Sequence, residues 1–90
     1  MRLVGRRSML KEQIIAIESI YVPLRLRARL NGETVQEIAR SMLEIGQRTP
    51  ILVRRDRERF VLVEGLHRLE ACKALGEKNI IGLVVQARRS

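Results

Sequence analysis

Between residues 60 and 76 the spacing of apolar positions changes from that of a strand to that of a helix. Phe60, Val61, Leu62 and Val63 are β-branched, aromatic or leucine, and beyond Gly65 the residues Leu66, Leu69, Cys72 and Leu75 recur at helical spacing. The pattern predicts a strand, a turn through one glycine, and a helix that Gly76 ends. A second helix is predicted over 34–45. Thr34 and Glu37 stand at capping-box spacing, Val35, Ile38, Ala39, Met42 and Leu43 form one apolar stripe, and Gly46 follows as a stop. Strands are predicted at 14–17, at 51–53 behind Pro50, and at 80–85, where Gly82 marks a bulge or a close contact. Asp56, Arg57, Glu58 and Arg59 form a polar connection, so the strands on either side make a hairpin. The order strand, helix, strand, strand, helix, strand predicts an α+β domain, a small mixed β-sheet packed against two main helices.

Residues 24–30 alternate apolar side chains with arginine behind Pro23, which stops any central strand. As an extended segment they place Arg25, Arg27 and Arg29 on one face, about 6.6–7 Å apart successively. Such a row suits successive nucleic-acid phosphates or a single triphosphate. An irregular loop with its arginines in water fits the same residues. Asn31 and Gly32 signal a turn. The chain divides into a basic arm over 1–13, with a candidate strand at 2–4, a domain over 14–85, and a polar tail over 86–90.

Composition sharpens this picture. Ninety residues make one small domain, and with one Tyr, one Phe and no Trp its core must be aliphatic. A thin core leaves self-association as a homodimer open. The net charge is +8, and of eighteen basic residues only Lys11, Lys73 and Lys78 are lysines. Arginine's planar fork favours phosphate-bearing partners, nucleic acid first and nucleotide second; a compositional habit of the source is the alternative. Cys72 has no disulfide partner and lies on an apolar stripe, and His67 is the single histidine, so metal-ligand spacing is absent. No stretch approaches membrane-span length and no signal peptide is visible, which makes the cytoplasm the default location and a membrane partner unexpected.

The turn at Gly65 carries the candidate chemistry. A helix's first N–H groups lack intrahelical acceptors and carry the positive end of the dipole, Gly65 lets backbone approach a ligand, and His67 and Arg68 add donors in the same turn. That corner suits an anion. Without one, Arg68 faces water and His67 bonds locally. Glu64 adjoins the corner and is the candidate general base or metal-associated carboxylate, with Glu70 about one and a half turns further on.

The run from Gln36 through Gly46, Gln47, Arg48, Thr49 and Pro50 to Arg54, followed by Val63-Glu64-Gly65-Leu66-His67-Arg68-Leu69-Glu70-Ala71, resembles the amino-terminal domain of the ParB and sulfiredoxin-like superfamily, also called the ParB-like nuclease domain. The resemblance covers about 14–85. It implies a phosphate-binding motif of the form Gly-Glu-Arg-Arg, or in other members Gly-His-His-Arg or Gly-Asn-His-Arg. Gly65 and Arg68 fit all three, His67 fits the second group, and Leu66 fits none. In sulfiredoxins the position of Leu66 holds the catalytic cysteine, and Cys72 lies about six residues too late to replace it. Similarity to partition proteins implies a CTP-operated clamp, with Gly46, Gln47, Thr49 and Pro50 near the nucleotide and an arginine segment like Arg25, Arg27 and Arg29 nearby. CTP or another nucleotide, with Mg²⁺, is the implied cofactor. The magnesium-binding helix, DNA-reading helices and dimerisation domain that follow there have no counterpart in these ninety residues, so weak, sequence-blind DNA association is expected. The resulting reading is a nucleotide- or phosphate-binding regulatory module associated with DNA, as in plasmid and chromosome partition. The alternatives are a Mg²⁺-dependent nuclease or nucleotide-dependent kinase of the same superfamily, and a non-catalytic protein-interaction module.

Overall fold

Two parallel and two antiparallel pairings build one sheet. A computed structural model describes residues 11–86. The elements are β1 (Glu12–Ala16), a 3-10 turn (Ile17–Ser19), β2 (Ile20–Tyr21), α1 (Leu24–Arg27), α2 (Gly32–Ile45), β3 (Ile51–Asp56), β4 (Arg59–Glu64), α3 (Leu66–Ala74) and β5 (Asn79–Val85). The strand order is β1-β5-β3-β4-β2. β1 runs antiparallel to β5 and β3 antiparallel to β4, while β3 with β5 and β2 with β4 are parallel. The predicted mixed sheet, the hairpin and both main helices are therefore present. The arm residues 1–10, with the candidate strand at 2–4, and the tail residues 87–90 lie outside the described residues.

Strand alternation sorts the side chains onto two faces. Ile15, Ile51, Val53, Leu62 and Ile80 point toward the helices, where they meet Leu66, Leu69 and Cys72 in a single aliphatic core. Cys72 is 2% exposed, and burial pushes its thiol above the ordinary range, Glu77 adding to the effect and Arg68 opposing it. It packs as a small hydrophobe. Gly82 marks a close contact, since a Cβ there would lie 2.9 Å from Ile15 Cδ1 and 3.1 Å from Ile51 Cγ1. The ladder irregularity falls instead between Leu52 and Val53, against β4.

Three expectations need correction. Thr34 does not cap α2. The helix begins at Gly32, and Asn31 Oδ1 accepts from the N–H groups of Glu33 (2.9 Å) and Thr34 (3.1 Å). Residues 24–30 are not extended. Pro23 O accepts from the N–H groups of Leu26 and Arg27, and Ala28 N bonds Leu24 O, so the chain coils into α1 and a following turn. A helical turn separates consecutive odd positions by about 200°, which destroys the arginine row. The apolar stripe of α2 is also only partly covered: Met42 packs against the core, whereas Leu43 is 73% exposed.

Candidate functional site

Gly65 sits at the entrance to α3 with φ +110°, a backbone conformation that disfavours side chains. Its missing side chain serves packing first, because a Cβ would lie 2.7 Å from Ile51 Cγ2. Glycine here lets β4 turn into α3 directly against β3. The result is a nine-residue helix whose first turn has no side-chain cap and no acidic residue. Its leading N–H groups are left for solvent or a ligand. Leu66 fills the core with its side chain, being 8% exposed, so only its backbone can serve the corner.

Arg68 and His67 follow in the same turn, both half-buried. The Nε2 of His67 accepts a 3.0 Å hydrogen bond from the backbone N–H of Asn31, the residue that caps α2. An imidazole nitrogen that accepts carries no proton, so this contact selects the tautomer with hydrogen on Nδ1. His67 thus ties the two helix entrances together.

A cavity of about 480 Å³ opens at the corner, lined by Glu64, Gly65, Leu66, His67 and Arg68 together with Thr49, Pro50, Ile38, Leu52 and Leu83. A second hollow of about 320 Å³ shares Ile38, Thr49 and Arg68 with it and adds Gly46, Arg48, Ser41 and Met42. The two form one depression between the start of α3 and the turn that follows α2. Gly46 ends α2 at φ +77°, its N–H bonding Met42 O at 2.8 Å.

Gln47 holds that turn in place. Its Nε2 donates to Thr49 O (2.8 Å) and Ile81 O (2.9 Å), and its Oε1 accepts from Ile81 N (2.8 Å). The side-chain amide acts as an extra strand residue beside β5. Both of its donors are spent on backbone, so its part in the site is to position Thr49 and Pro50. The structure thus brings Glu64, Gly65, Leu66, His67, Arg68, Gly46, Thr49 and Pro50 together. Arg25, Arg27 and Arg29 line neither hollow: all three are exposed, and Arg25 lines a different cavity beside Tyr21 and Arg54. Sequence reasoning missed Arg48 and Ser41. The signal for Arg48 was its place between Gln47 and Thr49; Ser41 had none, since it lies on an ordinary helix turn.

Comparison with known proteins follows the same lines. Residues 5–90 match the family described as the ParB N-terminal domain. A probable chromosome-partitioning protein ParB from Campylobacter jejuni is 37% identical over 62 residues, which is 69% of this chain and 22% of that protein's length. Among solved structures, sulfiredoxin from Arabidopsis thaliana superposes with a TM-score of 0.78 at 26% identity, covering 86% of both chains. The C-terminally truncated chromosome-partitioning protein ParB from Caulobacter crescentus, complexed with CTP-γ-S, gives 0.75 at 24% identity over 87% of this chain and 46% of that one. A free serine kinase mutant in complex with ADP gives 0.71 at 18% identity. These last two share the fold.

Proposed function

Because the chain belongs to the ParB N-terminal domain family, we propose that the depression between α3 and the turn at 46–50 binds the phosphates of a nucleotide, CTP foremost, in a regulatory module that associates with DNA. One observation carries this reading: the uncapped entrance of α3 opens into a cavity shared by Gly65, Arg68 and Thr49, with Arg48 beside it. Bare N–H groups and guanidinium donors around one concavity are what a polyphosphate needs. The Caulobacter relative solved with CTP-γ-S supports nucleotide as the ligand class. Glu64, which lines the cavity, would hold Mg²⁺, and the metal would neutralise phosphate charge there. Arg25, Arg27 and Arg29 serve DNA as a diffuse positive field, alongside the net charge of +8. The setting is cytoplasmic, and pairing of two copies accompanies nucleotide binding.

Calorimetric titration of the protein with CTP, ATP, GTP and UTP, with and without Mg²⁺, tests the reading. CTP is expected to bind most tightly. Absence of binding by every nucleotide would remove it. Duplex DNA should bind without sequence preference and with steep salt dependence, and a strong preference for one sequence would contradict that part. The carboxylate of Glu64 in the same cavity favours a second reading, phosphoryl transfer or phosphodiester hydrolysis. Mg²⁺-dependent turnover that vanishes in Glu64→Gln would establish it.

A further inference from the structure

The face of the sheet turned away from α2 and α3 carries its own basic cavity. Cross-strand partners point to the same face, and the register pairs Tyr21 with Val61, Val61 with Arg54, and Arg54 with Val85. These four residues form a continuous row across β2, β4, β3 and β5. A cavity of about 490 Å³ lies over the row, with Arg25 and Arg59 among its lining. Arg59 is held in place from two sides: its guanidinium sits 4.4 Å from the centre of the Tyr21 ring and 3.2 Å from Asp56 Oδ2. Glu12 of the same face is in register with Leu83, and it does not line the cavity. The cavity lining holds Arg25, Arg54 and Arg59 against the single carboxylate of Asp56 and is net positive.

We propose that this cavity docks an acidic, apolar-anchored peptide segment of a partner protein. The segment's carboxylates pair with Arg25 and Arg54, and an aliphatic side chain rests on Val63 and Val85. Val63 is 42% exposed, a large share for a valine in a sheet, and covering it beside a cationic rim suits a ligand both apolar and anionic. Nucleic acid fits less well. One ring face of Tyr21 is already occupied by Arg59, Asp56 places a carboxylate beside Arg54 and Arg25, and a phosphate backbone would leave the exposed Val63 uncovered, so stacking is blocked on one side and the apolar floor goes unused. A second copy of the chain brings a net charge of +8 against a basic cavity.

The test is fluorescence anisotropy of the full chain with a labelled peptide of alternating glutamate and leucine, its lysine–leucine counterpart, and single-stranded oligothymidylate. The acidic peptide is expected to bind with a dissociation constant of roughly 10–100 μM, weakening with salt, and the lysine peptide not to bind. Arg25→Glu, on the exposed four-residue α1, and Arg54→Gln should each weaken acidic-peptide binding about three- to tenfold, with circular dichroism and nucleotide affinity unchanged. No binding of the acidic peptide at about 1 mM, or equal binding to Arg25→Glu, would overturn the proposal. So would tighter binding of oligothymidylate that Tyr21→Ala abolishes, or a sedimenting dimer that Arg54→Gln dissociates.

Discussion

The entrances of α2 and α3 lie side by side and are finished in opposite ways. At α2, Asn31 Oδ1 takes the N–H groups of Glu33 and Thr34, and Glu33 sets a negative charge on the positive end of the dipole. The chain supplies its own cap there. At α3, Gly65 offers no side-chain acceptor, no acid occupies the first turn, and Arg68 places a guanidinium where a cation is locally unfavourable. One entrance is capped within the protein; the other is left open, and it is there that we propose an anion binds. His67 Nε2 joins them by accepting from Asn31 N, so the finished end helps hold the unfinished one. Under the proposed function, stability and binding fall to different residues about one hydrogen bond apart, and mutations should separate them.

Gly65→Ala should have the largest effect. Overlap with Ile51 and a φ of +110° together predict a loss of about 2–4 kcal/mol, read by urea denaturation, and nucleotide binding should fall with it. Arg68→Ala should break the comparison most cleanly. Loss of a charge-assisted contact costs about 1.5–3 kcal/mol, so phosphate-ligand affinity should drop roughly 10- to 150-fold. Folding stability should hold or rise by up to about 1 kcal/mol, because a cation leaves the positive end of a dipole. Unchanged affinity in calorimetry would make α3 a scaffold and nothing more.

Asn31→Ala is the mirror case, with about 0.5–2 kcal/mol of stability lost and affinity held within about twofold, since the backbone N–H that meets His67 stays. A matching loss of affinity would show that the two entrances work as one. Gln47→Leu removes three hydrogen bonds to backbone while keeping bulk. It should speed amide exchange at Ile81 N and weaken nucleotide binding about three- to tenfold, through Thr49 and Pro50. The smallest effect belongs to Thr34→Ala, expected within about 0.5 kcal/mol of wild type because Asn31 already caps α2; a cost near that of Asn31→Ala would restore the threonine as the cap.

What the sequence determined by itself is local. The change of period at Gly65, the hairpin about 56–59, the inward-facing Cys72 and the α+β order all follow from short-range sterics and from which side chains prefer to leave water, and these operate between residues a few positions apart. The position of residues 64–68 at a strand-to-helix turn was legible for the same reason. Tertiary structure decided what depends on distant partners. Asn31 read as a turn residue and Thr34 as the cap, and the entry path into α2 makes Asn31 the cap instead, with Asn31 N reaching a nitrogen of His67 36 residues away. The alternation over 24–30 suits a strand, but a strand needs a neighbour, and behind Pro23 the backbone bonded to itself in α1. The pairing of the Gln47 side-chain amide with Ile81 of β5, 34 residues later, had no signal in the sequence. Periodicity belongs to a segment, whereas a hydrogen bond belongs to whichever two groups the fold brings within reach.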